Sequence, residues 1–177
     1  MTIKNKKEFM RVPILREGEL DIISHSAEQT RRLGARLGTL LERGDVICLS
    51  GDMGAGKTAF AIGIGAGWGA IPPLTSPTYN LVHQHRRERD KQILYHLDCY
   101  RLRDEAEAET VDLDVIFSGR GVVLIEWPER ISGALPKERL WIELRVIEPT
   151  RRNFIAEAVG RRYEALLEKF RGVSFGV

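Results

Sequence analysis

Residues 46–58 read Val-Ile-Cys-Leu-Ser-Gly-Asp-Met-Gly-Ala-Gly-Lys-Thr, an apolar run that ends in a glycine-rich turn. The residues that follow, Ala-Phe-Ala-Ile-Gly-Ile, stay apolar and predict a helix, so the turn sits between a buried strand and a helix start. Gly51, Gly56, Lys57 and Thr58 fill all the fixed positions of G-x-x-x-x-G-K-[ST]. Average residue usage would produce that pattern in on the order of one per cent of chains this long, fewer with the strand and helix required. Such a turn is a phosphate cradle. Glycines at 51, 54 and 56 let backbone N–H groups converge without Cβ obstruction, and the helix start adds partial positive charge. The candidate nucleotide-binding residues are therefore Gly51, Met53, Gly54, Ala55, Gly56, Lys57, Thr58 and Ala59. For ATP, Lys57 reaches the β- and γ-phosphates and the Thr58 hydroxyl ligates Mg²⁺.

A length of 177 residues suits one α/β domain, here residues 20–177, preceded by a loosely ordered basic tail over residues 1–19. A 43% hydrophobic and 29% charged composition argues against a disordered chain. No apolar run approaches bilayer length and the basic N-terminus lacks a following apolar stretch, so a cytoplasmic protein with no membrane partner is expected. Cys48 and Cys99 fall in separate apolar segments and read as small core residues rather than a metal or disulfide pair. A net charge of +2 is too mild to indicate nucleic-acid binding.

Along the chain, residues 20–23 read as an opening strand. Ser26 and Gln29 form a capping box ahead of a helix striped by Leu33, Leu37, Leu40 and Leu41. The helix after the cradle is expected to reach about residue 66, with Gly67, Gly69 and Pro72-Pro73 terminating it. Residues 74–83 begin as a constrained loop and continue as a strand. On that loop Thr78 has two readings, a sensor of the γ-phosphate or ordinary Ser-Pro-Thr turn chemistry. Residues 86–91 read as a solvated hairpin turn. The next strand places His96, Asp98 and Tyr100 on one face, which suggests a site. Residues 104–110 read as a short acidic helix. Residues 122–126 are a buried strand ending in Glu126, placed to give Mg²⁺ a second anchor. Two antiparallel strands, at 141–146 and 153–158, and an amphipathic helix at 161–170 complete the chain. The arginine pairs at 31–32, 151–152 and 161–162 are read as solvated charges, with a shared patch as the alternative.

Together these motifs resemble the TsaE (formerly YjeE) family. The resemblance rests on Gly-Asp-Met-Gly-Ala-Gly-Lys-Thr at 51–58, Ser-Pro-Thr-Tyr at 76–79, His-Leu-Asp-Cys-Tyr-Arg at 96–101 and Ile-Glu-Trp at 125–127. Leu-Pro at 135–136 and Ala-Val-Gly-Arg-Arg-Tyr at 158–163 extend it over nearly everything after the tail. It implies a bacterial ATPase needed for the threonylcarbamoyl modification of the adenosine beside the anticodon, in tRNAs reading codons that start with A. It implies TsaD and TsaB as partners, with tRNA involved only through them. Carried over by motif, Lys57 holds phosphate, Thr58 and Glu126 serve Mg²⁺, Asp98 is the acidic residue essential for hydrolysis, and Thr30 lies near the nucleotide. Two positions depart from the family pattern. Ala59 replaces a second threonine, and Asp112 stands where a glycine is common.

The fold expected is α/β, a P-loop nucleotide-binding fold whose mixed sheet has a parallel core, added antiparallel strands and helices on both faces. Two rival functions remain. One is a small-molecule kinase, for which only Arg86, Arg87 and Arg89 could serve as a phosphoryl-covering lid. The other is a nucleotide-gated assembly factor with incidental hydrolysis.

Overall fold

The computed structural model describes residues 19–76, 80–102 and 111–174. All seven described strands join one sheet: β1 (Glu19–Ser24), β2 (Val46–Ser50), β3 (Val82–Arg86), β4 (Ile93–Asp98), β5 (Val122–Glu126), β6 (Arg139–Val146) and β7 (Arg152–Val159). Their order is β1-β7-β6-β2-β5-β4-β3. Strands β4, β5, β2 and β6 run parallel, β7 and β1 extend one edge antiparallel, and β3 closes the other edge as a hairpin with β4. The expected mixed sheet is what forms.

The period of two along β2 explains the layers. Ile47 and Leu49 face a core shared with α1 (Ala27–Leu40), α2 (Lys57–Trp68) and α4 (Arg161–Ser174). Val46 and Cys48 face a second core closed by the short α3 (Leu113–Ile116) and by 3₁₀ turns over Pro128–Ala134. Burial pushes the thiols of Cys48 and Cys99 up to about 12, as core positions require.

Helix α1 starts as its capping residues dictate. The Ser26 hydroxyl accepts the Gln29 N–H at 3.1 Å, while the Gln29 side chain reaches back one residue further than expected, accepting the His25 N–H at 2.7 Å. Helix α2 runs two residues past the expected end and stops at Gly69, in the left-handed conformation. Gly67 is therefore not a terminator. It belongs to a close crossing of α1 and α2, where a Cβ on Gly67 would lie 1.8 Å from the Ala35 carbonyl oxygen. Gly34, Gly38 and Gly63 meet facing backbone oxygens at 2.1 to 2.3 Å in the same way.

Two other expectations change. Strand β3 follows the loop as expected but starts at Val82 and runs to Arg86, past the expected end at residue 83, and the 86–91 turn is not wholly solvated, because Arg87 is buried. Asp112 takes its unusual place by capping α3, accepting the Val115 N–H at 3.1 Å. The tail over residues 1–18, Thr78 and the acidic stretch at 104–110 lie outside the described residues. Among the described residues no helix is long and apolar enough to cross a membrane.

Candidate functional site

Three strand ends converge at the cradle. β2 runs into Gly51, β5 ends at Glu126, and β4 ends at Asp98, which pairs in register with Glu126. The ends are pinned by continuing hydrogen bonds, from Trp127 N to Leu49 O at 3.1 Å and from Cys99 N to Glu126 O at 3.0 Å. Between them lies a cavity of about 290 Å³ lined by Met53, Gly54, Gly56, Lys57, Thr58, Ala59, Asp98, Tyr100, Glu126 and Trp127.

The turn is shaped for close approach. Gly51 has φ +131°, and a Cβ there would lie 2.2 Å from the Leu144 carbonyl oxygen, so β6 presses on the back of the cradle. Gly56 precedes α2 at φ 102° without any side-chain cap, unlike Ser26 before α1. The first-turn amides of α2 are thereby left to an anion, which is the donor set a phosphate chain needs.

Lys57 is buried, donating from Nζ to the carbonyl oxygens of Gly51 at 2.5 Å and Asp52 at 2.8 Å. Its ammonium lies 3.8 Å from the centroid of the Trp127 ring. Burial lowers its pKa from the ordinary lysine value, opposed by the charges of Glu126, Glu129, Asp52 and Asp98. Trp127 itself holds φ 60°, a left-handed backbone uncommon outside glycine, and its ring packs 4.9 Å from that of Tyr100.

Glu126, 1% exposed, is held from both sides. Its Oε2 accepts from the Thr58 hydroxyl at 2.9 Å and its Oε1 pairs with His96 Nε2 at 2.9 Å. The imidazole acts as a donor here, because the carboxylate has none to give. Asp98 is half-buried and accepts the Tyr100 N–H at 3.0 Å. Burial raises its pKa, the Tyr100 hydrogen bond lowers it, and the Glu126 charge raises it again.

Thr58 and Glu126 fit a Mg²⁺ ion by type. Together they offer a hydroxyl and a carboxylate oxygen, the sparse protein contribution that a phosphate-bound Mg²⁺ takes. Among the described residues no cluster of three or more His, Cys, Asp or Glu side chains could hold a metal by itself.

The structure thus brings Lys57, Thr58, Asp98 and Glu126 together, with Met53, Gly54, Gly56 and Ala59 around them. Gly51 and Ala55 sit behind the lining, Ala55 donating to Asp52 O at 3.1 Å. Thr30 stands apart. It is buried in α1 with its hydroxyl bonded to that of Ser24 at 2.8 Å, away from the lining.

Sequence reasoning missed the His96–Glu126 pair and the grip of Arg152, which donates to the Gly54 carbonyl at 3.3 Å. Alternation along β4 could have suggested the first. Nothing in the sequence signals the second. One arginine of each expected pair is taken up by a carboxylate. Arg32 pairs with Glu28, Arg151 with Glu148, and Arg162 with Asp45.

The family model described as threonylcarbamoyl adenosine biosynthesis protein TsaE matches residues 24–154. A Bacillus subtilis tRNA threonylcarbamoyladenosine biosynthesis protein TsaE is 38% identical over 143 residues, covering 80% of this chain and 87% of the relative. The protein of the same name from Treponema pallidum is 38% identical over 125 residues, covering 71% and 90%. The crystal structure of Bacillus subtilis YdiB superposes with a TM-score of 0.72 at 33% identity, covering 88% of this chain and 95% of that one.

Proposed function

This chain belongs to the TsaE family, and from that premise we propose that it is a slow, Mg²⁺-dependent cytoplasmic ATPase whose turnover serves a TsaB–TsaD assembly in tRNA threonylcarbamoyladenosine formation. The observation that carries the reading is the 2.9 Å contact between Thr58 and Glu126 beside a buried Lys57. Mg²⁺ bound to ATP would supply charge neutralisation across the β- and γ-phosphates.

The chain's own groups take separate roles. The uncapped amides of α2 and the Lys57 ammonium bind phosphate oxygens, with Lys57 exchanging loop carbonyls for them. Glu126 orients the Thr58 hydroxyl, and His96 fixes the carboxylate rotamer. Asp98 orients the attacking water and receives its proton, a task suited to a carboxyl whose pKa is raised. Thr78 is the proposed reporter of the γ-phosphate.

Against the kinase alternative, Arg86, Arg87 and Arg89 lie at the β3–β4 hairpin, before β4, whereas Asp98 at the other end of β4 lines the cradle. Two of the Arg87 nitrogens, Nε and Nη2, are also held by Asp90 at 2.8 and 2.7 Å, which fixes the side chain at the hairpin.

Titration calorimetry with MgATP and a phosphate-release assay test the reading in Lys57→Ala. Binding or turnover should fall by at least about 100-fold, the loss typical of one directed charge at a developing anion. The thermal midpoint should hold, because this cation contributes little to the core. Wild-type turnover would remove the cradle from the mechanism.

A further inference from the structure

A second polar cavity, about 300 Å³, lies where α1 ends, the β3–β4 hairpin turns and α4 passes. The first two segments lead into β2 and β4, whose far ends meet at the cradle. The cavity is therefore about one strand length from the nucleotide site, roughly 17–20 Å for strands of this size. Its cations are Arg43, Arg87, Arg89 and Lys169.

Arg87 is the built part. Its side chain is 6% exposed, its Nε and Nη2 donate to the two Asp90 oxygens at 2.8 and 2.7 Å, and its guanidinium lies 4.7 Å from the Trp68 ring centroid. Asp90 fixes the fork and leaves Nη1 buried with no partner. The side-chain oxygen of Gln92, which also lines the cavity, is buried and unpartnered too, but as an acceptor it takes no part in the donor set. Buried donors without acceptors are costly and uncommon, so a desolvated, unpartnered guanidinium nitrogen on a residue that lines a cationic cavity points to an anion.

The rim agrees with that reading. Arg43 and Lys169 are exposed and have no ion-pair or hydrogen-bond partner among the described residues. Glu42, the lining carboxylate, pairs with Arg162 at 3.6 Å. The negative end of α1 is blunted too, because Arg162 Nη2 donates to the Leu40 carbonyl at 3.1 Å. Counting Asp90 and Glu42 against the four lining cations leaves two positive charges in excess. That surplus suits a phosphate dianion or two successive phosphodiesters.

We propose that this cavity is a second anion site that takes a phosphate group, with Arg87 Nη1 as the buried donor and Arg43, Arg89 and Lys169 as the charged rim. The phosphate has two possible sources, a free phosphate ester or an RNA backbone.

The test uses ¹⁵N-labelled full-length protein in the presence of MgADP, titrated with inorganic phosphate at constant ionic strength. Saturable amide shifts are expected at residues 42–43 and 88–92, and they should vanish in Arg43→Ala/Lys169→Ala, whose exposed positions spare the fold. Anisotropy with labelled tRNA at two salt concentrations then separates the sources. An RNA-borne phosphate gives weaker tRNA binding by the double variant, with the salt slope reduced by about one for each phosphate-binding cation removed. A free ester gives the same phosphate shifts with tRNA binding unchanged. Shifts confined to residues 51–58, or shifts at 42–43 and 88–92 that never saturate, overturn the site. The double variant should keep wild-type ATP turnover, so failure here leaves the nucleotide reading untouched, and failure of that reading leaves this one standing.

Discussion

Asp98 shows how a single side chain at the site trades stability for chemistry. Its folded pKa is raised, so the fold prefers the protonated acid, and the stability it contributes is present below the unfolded value and is lost as pH rises through the folded one. Burial makes the charged form of this carboxyl the disfavoured one. Asp98→Asn should therefore raise the thermal midpoint at pH 7, with the gain vanishing towards about pH 4, near the unfolded value. The same variant should hydrolyse ATP roughly 100-fold more slowly while still binding it. A gain independent of pH, or normal turnover, would return Asp98 to a structural role. The motif made Lys57, Thr58 and Glu126 legible because each follows at a fixed offset from a turn or a strand end. His96 was legible only as one of three polar side chains on a strand, since its partner is 30 residues away and set by sheet register. Thr30 has no such spacing rule, and the hydroxyl of Ser24 takes it up.

The crossing of α1 and α2 matters to function because α2 carries Lys57 and Thr58 at its first turn. A Cβ on Gly38 would lie 2.1 Å from the Ile64 carbonyl oxygen, a backbone atom that cannot swing aside. Gly38→Ala should cost about 1–3 kcal/mol by overpacking, and it should weaken ATP binding as α2 shifts. Gly172→Ala in α4 is the matched control. Nothing lies within 4 Å of its Cβ, so a gain of about 0.4–1 kcal/mol is expected in chemical denaturation, with ATP affinity unchanged. If both variants behave alike, the crossing does not position the cradle. Most elements were legible, since strands such as Val122–Glu126 and the Ser26-capped helix announce themselves locally. The role of Gly67 was not. Glycine marks both a helix end and a tight helix contact, and only the neighbouring Ala35 backbone distinguishes them. Arg162 and Tyr163 are legible in the sequence only as part of an amphipathic helix and of the motif at 158–163. In the fold they anchor α4 to the start of β2, through the Asp45 carboxylate at 2.6 and 2.9 Å and the Val46 N–H at 2.8 Å.

At the scale of the molecule, the proposed coupling to TsaB and TsaD requires an affinity for them that depends on the bound nucleotide. Binding of the pair, measured with a non-hydrolysable ATP analogue and with ADP, should differ by at least about tenfold, or 1.4 kcal/mol, and Thr78→Ala should abolish the difference. Equal affinities would leave hydrolysis without a mechanical output. The mixed sheet itself was legible as a class, but its strand order was not, because pairings such as β1 with β7 join segments more than a hundred residues apart. That separation bears on how the protein is made. β2 finds its partners only in β5 and β6, and β1 only in β7, while the glycine cradle leans on Leu144 and Arg152. A ribosome translating this message releases residues 46–58 long before any of those supports exist. During elongation the phosphate-binding segment should thus lack its sheet partners, and the nascent chain should become competent for nucleotide only once β7 and the helix behind it have emerged.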